Sequence, residues 1–172
     1  MRVLIVFMDA DSWTSILDDA ASILASGLLL SNNIRRDTRV CLVRRWEGYE
    51  WLCVEGSRVR NLRPDLESAR GLVRAFLKGR GRDAAKLGGG LPPLPDRAFE
   101  VRSGRGGPPP PCNDQLSIVF NHRGEYGSLE PLHVPQPPRL IASLVAAVNI
   151  LLDLACHDRP GHAGGGATGQ GG

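Results

Sequence analysis

The residues of this chain best suited to chemistry are two histidines in one polar stretch, FNHRGEYGSLEPLHVPQPPRL, and a set of arginines outside it. Imidazole exchanges a proton near neutral pH, so His122 and His133 are the candidates for a general base. Loop histidines are more often structural than catalytic, and the sequence assigns no catalytic residue. Arg35 and Arg36 stand together in IRRD, while Arg70, Arg74 and Lys78 recur at a spacing that puts them along one side of a helix. A guanidinium fork matches phosphate and carboxylate, which makes both groups candidates for contact with an anionic partner. Their plainer reading is a solvated outer face, or pairing of Arg35 and Arg36 with Asp37, Asp65 or Glu67.

Other chemistry loses support. Cys41, Cys53, Cys112 and Cys156 lack the spacing of a zinc site, and no metal is expected. No GxGxxG or GxxxxGK[ST] follows a strand, and neither GxSxG nor HExxH occurs.

These residues need elements to hold them. Residues 3 to 8, VLIVFM, form an apolar run of strand length, with Asp9, Asp11 and Ser12 behind it as turn and cap chemistry. An apolar helical face follows from Ser15 to Leu30, and Asn32 and Asn33 are expected to end that helix before a strand at 40 to 43. Glu47-Gly48 predicts a hairpin turn into a strand at 50 to 54, which SRVRNL extends or pairs with. Pro64 and Asp65 open a second helix and Gly79 closes it. AFEVR and LSIVF are further strands, and the last helix runs from about 138 to 156. Strands alternating with helices predict an α/β layer with a mainly parallel sheet. The polar stretch holding both histidines then leaves the carboxyl end of a strand, where ligands of open α/β sheets lie.

The chain has 172 residues, enough for one sizeable core, with 42% hydrophobic and 23% charged residues. Its 21 Gly and 13 Pro concentrate in GRGRDAAKLGGGLPPLP and SGRGGPPPPCND, read as loops, and in the tail. One domain is therefore expected over 1 to 156, with residues 157 to 172 a disordered Gly-rich tail. The net charge is +3, carried by 19 Arg and two Lys. The start MRVLIVFMDAD lacks a cleavable signal pattern, and LIASLVAAVNILLDLA is short for a membrane span. The expectation is a soluble, cytoplasmic protein with no membrane contact.

Two blocks, LLLSNNIRRDTRVCLV and VEGSRVRNLRPDLESARGLVRAFLKG, resemble the archaeal tRNA pseudouridine-54 N1-methyltransferase family of knotted SPOUT methyltransferases. The likeness lies in Ser31, Asn33, Ile34, Arg35, Arg36 and Asp37, then Pro64 and Asp65, in that order and spacing. It continues more weakly through Phe120-Asn121-His122 and Leu132-His133-Val134-Pro135, covering most of residues 1 to 156.

The resemblance implies a SPOUT-like knotted α/β fold, a homodimer, and S-adenosyl-L-methionine held by backbone groups of the knotted loops; the apolar Leu140, Ile141, Leu144, Val145, Val148, Leu151 and Leu152 of the last helix are the expected dimer interface. It places the cofactor against Val101, Phe120, His133, Val134, Pro135, Gln136, Pro137, Pro138 and Ser143, and tRNA against Arg35, Arg36, Arg70 and Arg74. The implied activity is methylation of N1 of pseudouridine in the T loop of tRNA. The chain departs from the family where Phe120 replaces Gly, Ser15-Ile16 replace Gly-Arg and Ser143 replaces Cys, and it is shorter between 103 and 130. A non-catalytic RNA-binding protein on the same fold is the alternative.

Overall fold

The computed structural model describes residues 1–30, 33–95, 97–105 and 115–157. Of the tail expected over 157 to 172, His157 belongs to the last helix and the remainder lies outside them, as does most of SGRGGPPPPCND. The chain forms β1 (Arg2–Asp9), α1 (Leu17–Leu28), β2 (Leu29–Leu30), β3 (Asn33–Ile34), β4 (Thr38–Arg45), β5 (Tyr49–Glu55) and α2 (Leu66–Leu77). β6 (Ala85–Gly89), β7 (Ala98–Ser103), β8 (Leu116–Phe120), β9 (Glu130–Val134) and α3 (Ile141–His157) complete it. Seven strands make one sheet in the order β6-β5-β4-β1-β8-β7-β9, parallel from β4 to β9 and antiparallel at the β5 and β6 edge. This is the expected mostly parallel α/β sheet.

β1 is apolar throughout because both of its faces are covered, the pattern of a central parallel strand. Leu4, Val6 and Met8 share one core with Ala20 and Leu24 of α1, Val73 and Phe76 of α2, and Val145, Val148 and Leu152 of α3. Val3, Ile5 and Phe7 face the other way, against Val43 and Val119 and the loop residues Leu94, Tyr126 and Leu129. All three helices therefore lie on one face, and loops cover the other. Val145, Val148 and Leu152, expected at a dimer interface, pack inside their own chain instead, because the sheet needs them there.

Four local expectations change. α1 ends at Leu28 rather than at Asn32 and Asn33, since Leu29 is already extended. Leu29 and Leu30 pair with Ile34 and Asn33 in a short antiparallel ladder, and Asn32 lies outside the described residues. SRVRNL is a turn in which Val59 donates to the Glu55 carbonyl, and neither extends β5 nor pairs with it. The partner of β5 is β6, drawn from a stretch read as loop because glycines hide its strand character; backbone pairing from Val54–Ala85 to Glu50–Gly89 holds it. Glu130–Val134 was likewise read as loop, but pairs with Phe99–Ser103 along the sheet edge.

Other signals hold. Asp65 caps α2, accepting from the Ser68 N–H at 2.7 Å, and Gly79 follows the helix with φ +73. The IRRD turn abuts the end of β5 so closely that a Cβ on Gly56 would sit 1.9 Å from the Arg35 carbonyl oxygen. Cys41 and Cys53 are directly opposite in the β4–β5 ladder, 4.0 Å apart at Cα, and form a disulfide. Gly56 donates to Thr38, and the alternation from that pair makes Cys41–Cys53 a closely spaced, non-hydrogen-bonded pair. Among the described residues no helix is long and apolar enough to cross a membrane.

Candidate ligand site at the carboxyl ends of the strands

β1 and β4 end side by side in opposite charges. Asp9 and Arg45 are register neighbours, and the Arg45 guanidinium donates to the Asp9 carboxylate at 2.9 Å. Arg45 also donates to the Asn121 carbonyl at 3.0 Å, pairs with Glu125, and lies 5.1 Å from the centre of the Phe7 ring. Arg123 closes the circuit, with its side chain on Asp9 at 2.7 Å and its backbone N–H donating to Glu125 at 2.6 Å. Burial pushes the Glu125 carboxyl up, but the Arg123 backbone and Arg45 outweigh it and hold it below its ordinary range. The circuit fixes the loop that leaves β8, where Asn121 takes φ 53 and its side-chain amide donates to the Phe7 carbonyl.

His122 sits in that loop with both ring nitrogens engaged. Nδ1 lies 2.6 Å from the Glu100 carboxylate, and Nε2 accepts the Tyr126 N–H at 3.2 Å. A backbone N–H only donates, so Nε2 carries a lone pair and the proton resides on Nδ1. His122 braces the loop through both ring nitrogens and has neither free to act as a base. Burial pushes the Glu100 carboxyl up, whereas His122 and Arg102 bring it below its ordinary range. A cavity of about 380 Å³ opens here, between Glu100, Val101 and Arg102, the loop residues Asn121 to Gly124, and Leu144 of α3.

The expected cofactor residues divide around this cavity. Val101 is part of its wall. His133 and Val134 stand opposite Arg102 and Ser103 on the neighbouring strand, so the β7–β9 ladder brings them beside Val101. Pro135, Gln136, Pro138 and Ser143 are exposed and Pro137 half-buried, with Gln136 at φ 49; they lie between β9 and the start of α3, and none of them lines the cavity. His133 Nδ1 is buried without a hydrogen-bond partner. Phe120 does not join them, because its side chain is fully buried in the core under the helices.

The four expected RNA-binding arginines are split by the fold. Arg35 is 6% exposed and clamped by Asp153, a partner the sequence reading did not consider, so it is corrected from surface contact to internal ion pair. Arg70 is gripped by Asp18 and by Glu67. Arg36 is exposed with one bond to the Ser57 carbonyl at 3.3 Å, and Arg74 is exposed with no hydrogen bond or ion pair among the described residues. Asp9, Arg45, Glu100 and Glu125 escaped sequence reading; a charged residue inside an apolar strand, as Glu100 is in AFEVR, was the available signal. No cluster of His, Cys, Asp and Glu that could hold a metal ion occurs among the described residues. In comparisons with known proteins, no family model matches the chain and no curated protein matches it.

Proposed function

We propose that the chain is an RNA methyltransferase using S-adenosyl-L-methionine, acting in the cytoplasm on N1 of pseudouridine in the T loop of tRNA. The observation that carries the reading is the β7–β9 ladder. It brings His133 and Val134 beside the strand of Val101 at one end of the sheet, and the sequence resemblance implies these three residues for the cofactor. A knotted path belongs to the same proposal, supported by β9 lying outside β7, so that the chain leaving β8 passes β7 to reach the edge.

The residues present suit such a cofactor. Val101 and Leu144 offer an apolar wall to the cavity. His133 Nδ1 is a buried polar atom that still lacks a partner. Once bound, the cofactor supplies an already activated methyl group, so the chain's task is to position the accepting base and keep water away. His122 serves that task by holding the loop.

Phe120 favours a second reading. Its fully buried ring stands where the resemblance implies a glycine, which suits a non-catalytic RNA-binding protein on the same fold. Calorimetric titration with S-adenosyl-L-methionine separates the two. Micromolar binding that Ser143→Trp abolishes supports the enzyme; no binding at millimolar concentration removes it. Transfer of labelled methyl to a pseudouridine-containing tRNA transcript is the second arm.

A further inference from the structure

At the end of the sheet away from the cavity, where β4 begins and β5 ends, three chain segments bring arginines together. Arg36 leads into β4, Arg58, Arg60 and Arg63 lie between β5 and α2, and Arg80 and Arg82 lie between α2 and β6; all six are exposed. We propose that this face binds the phosphate backbone of a base-paired nucleic acid. The inference rests on where these arginines stand and not on the methyl-transfer reading.

Backbone groups tie the three segments to one another. Gly56 donates to the Thr38 carbonyl at 2.9 Å, and Glu55 donates to the Ala84 carbonyl at 2.8 Å. The Arg36 guanidinium donates to the Ser57 carbonyl at 3.3 Å, and that of Arg58 to the Asp83 carbonyl at 3.1 Å. Each segment is also fixed by its own contacts. Val59 and Leu62 are buried in the core, which leaves Arg58, Arg60 and Arg63 on the outside. The Ser68 hydroxyl accepts the Arg63 N–H at 3.3 Å and donates to the Asn61 carbonyl at 3.4 Å. Arg80 stands between Gly79 and Gly81, at φ +73 and +69, and a Cβ on Gly81 would come 2.8 Å from the Phe76 ring. The arginines thus project from backbone that is already ordered, which lowers the entropy lost when they bind a ligand.

Charge and composition select the partner. None of the six has a carboxylate at ion-pair distance among the described residues; Arg36, Arg58 and Arg82 donate to backbone carbonyls instead. Over residues 36–37, 56–65 and 79–83 six Arg stand against three Asp, a net +3, which equals the formal charge of the whole chain. Positive and negative charge therefore balance over the rest of the molecule. Asp65, one of the three acids, is engaged as the cap of α2. These segments hold no aromatic residue, and their large apolar side chains, Val59 and Leu62, are buried. A protein partner or a membrane surface draws on apolar anchors, and a single strand draws on aromatic stacking. A duplex hides its bases and presents a dense row of phosphates, which guanidinium forks match.

The test measures fluorescence anisotropy of a short labelled RNA duplex titrated with the full chain. Arg60→Glu with Arg63→Glu and Arg80→Glu is expected to lower duplex affinity tenfold or more. Reversal of two exposed charges at the other end of the sheet, Arg105→Glu with Arg139→Glu, is expected to leave it unchanged. Each of Arg60→Ala, Arg63→Ala and Arg80→Ala lowers the salt slope of binding by about one unit. The three side chains are exposed and make no hydrogen bond or ion pair among the described residues, so the variants should melt with wild type. Should the triple reversal fail to fold, the single alanine changes carry the test. S-adenosyl-L-methionine is absent from the assay, so failure of this proposal and failure of the methyl-transfer reading are read separately. Unchanged duplex affinity in the triple reversal, or an equal loss in the control pair, overturns the proposal. So does binding of the matched single strand, an acidic peptide or phosphatidylserine vesicles as tightly as the duplex.

Discussion

Arg35, in the turn after the first helix, and Asp153, near the end of the last, form a two-pronged ion pair at 2.9 and 2.7 Å across 118 residues of sequence. Arg2 joins the same carboxylate at 2.6 Å, so the start of β1, the IRRD turn and α3 meet at one point. Burial pushes the Asp153 carboxyl up, and the hydrogen bonds from Arg35 and Arg2 outweigh it, leaving it below its ordinary value of 3.8.

Asp153→Ala leaves the nearly buried Arg35 without its counter-charge. The expected cost is about 2 kcal/mol, less than the ~3–5 kcal/mol of a fully buried pair because Asp153 remains partly exposed. A carboxyl with a lowered folded value contributes its stability above the unfolded value, and loses it as pH falls through the folded one. Urea unfolding should therefore separate wild type from variant at pH 7, with the gap closing below about pH 4. A gap that is the same at pH 7 and pH 3 would show that the pair contributes nothing through charge.

Reduction of Cys41–Cys53, or Cys41→Ser with Cys53→Ser, should lower stability by about 2–3 kcal/mol, the chain-entropy value for so short a loop. Thermal melting of the double serine variant against wild type measures it, because reductant would also open the disulfide of Cys156; the expected drop in Tm is several degrees, with no change in far-ultraviolet circular dichroism at 25 °C. In a reducing cytoplasm the pair would stand as thiols, so the reduced protein is the form to assay there. Identical melting curves would mean that the ladder alone holds β4 to β5.

For His122, nitrogen-15 spectroscopy should show that the neutral imidazole takes the tautomer with its proton on Nδ1 and not on Nε2. His122→Ala is expected to loosen residues 121 to 129, seen as faster amide exchange at Tyr126, which now donates to Nε2 at 3.2 Å. In any methyl-transfer assay the variant should lose rate without a change in the shape of the pH profile. A pH limb that vanishes with His122 would restore it as a catalytic base.

The last helix presents Ile150, Leu151 and Leu154 outward, the first and last more than half exposed. Apolar residues at that spacing make an unpartnered stripe, and the homodimer that the sequence resemblance implies would cover it. Sedimentation should find a dimer at micromolar concentration, and Ile150→Glu with Leu154→Glu should yield folded monomer. A wild-type monomer at that concentration rules the dimer out.

Local chemistry was enough to determine much of this protein from its sequence. The apolar run 3 to 8 became the central strand, Asp65 became a helix cap and Gly79 a helix end, because each depends on neighbours a few residues away. β6 and β9 stayed hidden since their strand character comes from backbone pairing with β5 and β7, and glycine-, proline- and charge-rich edges carry little apolar pattern. The arginines show the same division: their types and spacing are in the sequence, but whether each faces water or a carboxylate is not. Asp153 lies 118 residues beyond Arg35, and Asp18 lies 52 before Arg70. Only folding α3 and α1 against the turn and α2 brought those acids within reach, leaving Arg36 and Arg74 as the arginines of the four with no carboxylate at ion-pair distance among the described residues.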